Sequence, residues 1–138
     1  MITKFNLFED NITHHIEFDI NEHTGAFIIS DLTGGVELTQ EDLYNILKLF
    51  DSEYDYFTTP DNNGIFHKTD EYLYIYFKYF DMEVKVYSDS FDILIKEINN
   101  KIDKIAKFEE FDDSVEYIAK FMTEEEYNIQ KNMEKFNI

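Results

Sequence analysis

The side chains in this sequence that could do chemistry are carboxylates and histidines, because it contains no Cys and no Arg. His15, Glu17 and Asp19 alternate along one segment and would line one face of a strand. With His23 or His67 they approximate a metal-ligand set. A strand face of this kind is more often simply polar and solvated, so no metal is assigned to it. Asp51, Glu53 and Asp55 imitate the start of a calcium loop. The sixth position of that loop is Tyr56 where glycine is required, and the twelfth is Asn62 where glutamate is required, which rejects an EF-hand. There is no Gly-x-Ser-x-Gly elbow, and four glycines in all leave no phosphate-cradling loop or dinucleotide fingerprint. The missing Arg also removes the usual bidentate clamp for phosphate or carboxylate substrates. The expectation is a protein that is not an enzyme, with no catalytic residues, no cofactor and no bound metal.

Carboxylates in number carry more signal than any constellation. The 138 residues hold 30 Asp and Glu against 12 cations, a formal net charge of −18. The imbalance is uneven: from Phe5 to His67 Lys48 is the sole cation, and from Phe108 to Gln130 Lys120 is. Within the second stretch lie Glu109, Glu110, Asp112, Asp113 and Glu116, followed by Glu124, Glu125 and Glu126. Helical neighbours three or four residues apart stand roughly 5–6 Å apart, a spacing comparable to that of phosphates along a nucleic-acid strand. These eight carboxylates are therefore the candidate partner-binding residues. Solubility of a small domain needs a net charge of only about 2–8 in magnitude, and a larger excess destabilises the fold by self-repulsion. Such a charge repels nucleic acid and anionic membrane and attracts basic surfaces.

One aromatic cluster stands apart. Tyr72, Tyr74 and Tyr76 share a strand face with Lys78, which in a basic protein would suggest a stacking platform for single-stranded nucleic acid. The net charge opposes that use. The row is then either core beneath a helix or an exposed surface for a protein partner.

The elements that must position these residues follow from periodicity. His14 to Ile20 alternates strictly, with Ile16, Phe18 and Ile20 on one face, and Asn21 to Gly25 supplies a turn before Ala26–Ile29, so a hairpin is expected. Phe5 and Leu7 also alternate with polar neighbours, and Gly34-Gly35 is expected to end the sheet segment. Thr39 caps a helix with Glu41 and Asp42 in its first turn and a stripe of Leu43, Ile46, Leu47 and Phe50. Thr59 to Gly64 is a loop with the only proline, and strands at Tyr72–Tyr79 and Met82–Tyr87 should turn tightly around Asp81. Ser88 or Ser90 caps a helix with the stripe Phe91, Leu94, Ile95, Ile98, Ile102 and Ile105. Asp113 to Glu116 has capping-box spacing and opens a further helix through Val115, Ile118, Ala119 and Met122. Thr123 to Glu126 repeats the spacing, so the last helix restarts there or runs on through Ile129, Met133 and Phe136.

The fold expected over residues 1–138 is a single α+β domain: an antiparallel sheet of four to six strands, three helices packed on one face, and a helical C-terminal third. No leader pattern or long apolar run is visible, and the lack of Cys fits a reducing compartment, so a cytoplasmic location is expected. Ile, Lys, Asn, Phe and Tyr dominate while Ala, Gly and Pro are rare, a usage that points to an AT-rich, low-GC source.

In charge and size, though in no motif, the chain is similar to the small acidic inhibitors of phages and mobile elements, including DNA-mimic anti-restriction and anti-CRISPR proteins. The resemblance implies a non-enzymatic inhibitor that occupies the basic nucleic-acid-binding surface of a nuclease or effector, with no direct contact to nucleic acid or membrane. The alternatives are an immunity or antitoxin-like protein that neutralises a basic toxin, and an accessory domain. Homodimerisation is left open.

Overall fold

The computed structural model describes residues 16–21, 23–108 (side chains through 104) and 119–135. The expected Phe5–Leu7 alternation, the helix through Val115 and Ile118, and the carboxylates of Glu109, Glu110, Asp112, Asp113 and Glu116 lie outside the described residues.

Among the described residues eight strands and three helices follow one another in an α+β arrangement with two antiparallel sheets. The small sheet joins β1 (Glu17–Ile20), β2 (Phe27–Ser30) and β3 (Gly35–Leu38) in chain order. Its first turn closes as the alternation predicts. Asn21 Oδ1 accepts from the His23 and Thr24 N–H groups, and Gly25 takes φ +71°, a left-handed conformation that suits glycine. The second turn was missed. Gly35 opens β3 instead of ending the sheet, because the Asp31 carboxylate accepts from the N–H groups of Thr33 and Gly34 and turns the chain back on β2.

The large sheet has the order β7-β6-β5-β4-β8, from β4 (Tyr56–Thr58), β5 (Gly64–Lys68), β6 (Tyr72–Phe77), β7 (Met82–Tyr87) and β8 (Lys120–Met122). The β6–β7 hairpin turns at Asp81, as its sequence indicates, with φ +48° at that residue. β8 corrects an expectation: Ala119 to Met122 is not the end of a helix. Phe121 and Met122 alternate across a strand instead, with Phe121 against Phe57 and Met122 beside Tyr56.

Helix α1 (Gln40–Phe50) starts with a complete capping box. The Asp42 N–H donates to Thr39 Oγ1, and the Thr39 N–H donates to the Asp42 carboxylate. Leu43, Ile46 and Leu49 form its buried stripe, with Leu47 and Phe50 at the margin. A 3-10 turn at Ser88–Ser90 leads into α2 (Phe91–Phe108), whose Leu94 and Ile98 are fully buried. Both helices share one core with Phe27, Ile29 and Val36 of the small sheet and Phe66, Ile75 and Val84 of the large one. Burial of that apolar surface is the main force holding the two sheets together.

Helix α3 (Glu124–Lys135) restarts at Thr123, whose Oγ1 accepts from the Glu126 N–H. It departs from the expected one-sided layering. None of its residues is buried, Ile129 and Met133 are exposed, and it lies against the outer face of the large sheet, away from α1 and α2. Among the described residues no helix is long and apolar enough to cross a membrane.

Candidate binding surfaces: an acidic edge and an aromatic groove

The sequence places Asp55 far from Glu124, Glu125 and Glu126, but the fold brings it to their turn. The α1–β4 loop reaches the end of β8 through a hydrogen bond from the Asp55 N–H to the Met122 carbonyl, 3.1 Å. The Asp55 carboxylate then accepts from the Glu124 N–H at 2.9 Å and helps satisfy the first turn of α3. Three glutamates occupy that turn, where the helix dipole tolerates them. All three are exposed. The result is an edge of carboxylates drawn from two segments. Of the eight candidate partner-binding residues, Glu124, Glu125 and Glu126 are thus on one exposed turn.

The tyrosine row belongs neither to the core nor to a flat exposed surface. Leu73 and Ile75 point into the core, so Tyr72, Tyr74 and Tyr76 face the other side of β6 and are half-buried. Strand register extends that face: Tyr74 lies opposite His67, and His67 opposite Tyr56, while Tyr76 lies opposite Ile65, and Ile65 opposite Thr58. α3 leans over this face and leaves a groove of about 450 Å³ between helix and sheet. The sheet contributes Tyr56, Thr58, Ile65, His67, Tyr74 and Tyr76, the loops Asn62 and Lys78, and α3 contributes Tyr127, Gln130, Lys131 and Glu134.

At one end three rings form a continuous stack. Tyr127 and His67 lie on opposite faces of the Tyr56 ring, each with its centroid 3.9 Å away and its plane within 7° of parallel. Burial, then the charges of Tyr127, Glu124 and Asp55, push the Tyr56 phenol up to about 12. Burial also holds the His67 imidazole below its ordinary value of 6.5, against the opposing pull of Glu124 and Asp55. The Tyr74 hydroxyl donates to the Glu83 carboxylate, and the Tyr76 hydroxyl donates to Asp81 at 2.9 Å. Burial and the bond to Glu83 raise Tyr74, and the bond to Asp81 raises Tyr76, so both phenols stay protonated at neutral pH. At the other end Thr58 is only 4% exposed, and its Oγ1 has no hydrogen-bond partner.

Of the residues weighed for a metal, His15 lies outside the described residues, and the others do not come together. Glu17 and Asp19 lie in β1 of the small sheet, whereas His67 is stacked in the large one. Among the described residues no three His, Asp or Glu side chains converge as a metal site. The groove is not foreshadowed in the sequence, although Ile65-Phe66-His67 alternates with the period of a strand. A five-residue strand and a three-residue one are too short for the pattern to stand out from a loop. The chain matches no family model, no curated protein and no solved structure.

Proposed function

We propose that the protein is a non-enzymatic acidic binding protein, an inhibitor of the DNA-mimic type that occupies the basic nucleic-acid-binding surface of a partner such as a nuclease or effector. The observation that carries the reading is the net charge of −18 together with the edge where Asp55 meets the Glu124–Glu126 turn. Carboxylates projecting from a helix turn reach far from the backbone, and three consecutive ones fan out around it to offer negative charge over a wide angle. Their approach to a basic groove releases the counterions held there, which drives association and makes it depend on salt.

The test uses the full chain as bait in a lysate of a low-GC bacterium, at low salt and at about 0.5 M salt, where the Debye length falls below roughly 8 Å. The expected catch is a basic nucleic-acid-binding protein that is released by salt and displaced by double-stranded DNA. Reversing Glu124, Glu125 and Glu126 to Lys should slow association, while Asp103→Lys on α2 should do much less. A complex that survives high salt, ignores DNA and tolerates the triple reversal overturns the reading.

A further inference from the structure

We propose that the groove between α3 and the outer face of the large sheet binds a small planar aromatic molecule carrying one anionic group, the chemistry of a mononucleotide. The volume of about 450 Å³ falls within the range of small-molecule sites, about 300–1,000 Å³. Tyr74 and Tyr76 lie 13° from parallel with centroids 6.4 Å apart, and their hydroxyls are tied to Glu83 and Asp81, so both rings are held in place on the floor. Tyr56 is already covered by Tyr127 and His67, which leaves Tyr74 and Tyr76 as the rings open to a guest.

Polar groups mark the other end. The Thr58 hydroxyl is a buried donor and acceptor without a partner, and such a group carries an unmet desolvation cost that a ligand hydrogen bond removes. Asn62 supplies an amide that can read the edge of a heteroaromatic ring. Lys78 and Lys131 line the groove with one carboxylate, Glu134, while the Glu83 and Asp81 carboxylates accept from the hydroxyls of its floor tyrosines. Lys131 Nζ lies 5.4 Å from the Tyr127 ring centroid, and either ammonium group can pair with a phosphate. Asp55 and Glu124 act on His67 in the ring stack, and their charge opposes a longer, polyanionic strand there.

This site is independent of the acidic edge, and the two fail separately. The experiment titrates UMP and AMP into isotopically labelled full-length protein, following the ring resonances of Tyr74, Tyr76 and His67, with adenosine, inorganic phosphate and a thymidine oligonucleotide in parallel. Saturable shifts with a nucleotide are expected, with adenosine and phosphate each at least about tenfold weaker, a difference of about 1.4 kcal/mol. The exposed pair Lys78→Gln and Lys131→Gln should weaken nucleotide binding by about tenfold or more and leave adenosine unchanged. Thr58→Val should weaken nucleotide and adenosine alike. The proposal is overturned if neither nucleotide moves the rings, if phosphate alone matches the nucleotide, if the lysine pair behaves as wild type, or if the oligonucleotide binds more tightly than the monomer.

Discussion

The ring of Tyr127 lies flat on the ring of Tyr56, centroids 3.9 Å apart and 7° from parallel, and this contact fastens α3 to the sheet. The helix has no buried residue of its own, so its position depends on this stack, the Asp55 bond to the Glu124 N–H, and the Lys120–Gln130 hydrogen bond of 2.8 Å. Tyr127→Ala should release it. An aromatic pair is worth about 0.5–1.5 kcal/mol beyond its area burial, so urea unfolding should show a loss of about 1–3 kcal/mol. Tyr127→Phe, which keeps the ring, should behave like the parent. Equal stability of the Ala variant would mean that α3 is held by something else.

The shared core predicts a larger effect elsewhere. Ile98 is 0% exposed and sits on α2 at the centre of the apolar cluster. Ile98→Ala should cost about 2–5 kcal/mol, the lost transfer energy plus the cavity left behind. A near-neutral result by denaturant unfolding would contradict the burial of that helix face.

Asp42 predicts a pH effect of definite sign. Burial raises its carboxyl above 3.8, although the hydrogen bond from the Thr39 N–H acts the other way. The folded protein therefore binds this proton more readily than the unfolded chain, and the charged carboxylate costs stability at neutral pH. That cost disappears as the pH falls through the raised value towards 3.8. Asp42→Asn keeps an acceptor for Thr39 and should be at least as stable as wild type at pH 7, with its advantage shrinking as the pH drops. A gap between the two that widens on acidification would refute the assignment.

His67 carries the opposite sign. Its imidazole is held below 6.5 by burial, so the unfolded chain takes up a proton that the folded one resists. Stability is full above 6.5 and declines as the pH falls below it. His67→Gln should remove this component, which a comparison of thermal midpoints at pH 7.5 and 5.5 would detect. Identical pH profiles for the two proteins would show that the ring is not shielded in the stack.

The charge excess makes a prediction about salt. Self-repulsion at −18 opposes the compact state, and added salt screens exposed charges over a shorter distance. The thermal midpoint should rise with sodium chloride up to about 0.5 M, and rise less in the Glu124, Glu125 and Glu126 triple Lys variant. A midpoint that falls with salt would indicate attractive pairs in place of repulsion.

What the sequence discloses depends on the length of each pattern. The capping box at Thr39, the hairpin at Asp81 and the stripe of Leu94 and Ile98 are local signals spread over many residues, and all three stand in the fold. β3, β4, β5 and β8 hold three to five residues each, too few for alternation to separate them from loops. α3 misled for a different reason. Ile129 and Met133 have the spacing of a buried stripe, yet both are exposed while the polar face with Tyr127, Gln130 and Lys131 turns to the sheet. Periodicity names the apolar face of a helix, and here tertiary stacking chose another. Leu47 and Ile95, expected in the core, are only partly buried, because Leu49 and Leu94 take the central positions. The acidic edge was half legible: Glu124 to Glu126 are adjacent in the chain, but their meeting with Asp55 is a product of folding.

The Asp31 carboxylate does more than close a turn. Burial pushes it up, but hydrogen bonds from Thr33, Gly34 and the Lys85 N–H outweigh this and hold it below its usual value. Lys85 lies on β7, the outermost strand on that side of the large sheet, so Asp31 occupies a donor that would otherwise be offered to a neighbouring chain. On the opposite side β8 is three residues long and gives way at once to α3. Both margins are thus poor templates for strand addition, the usual route by which sheets zip into fibrils. A visitor to these two margins of the large sheet therefore meets side chains and a helix in place of a long free strand edge.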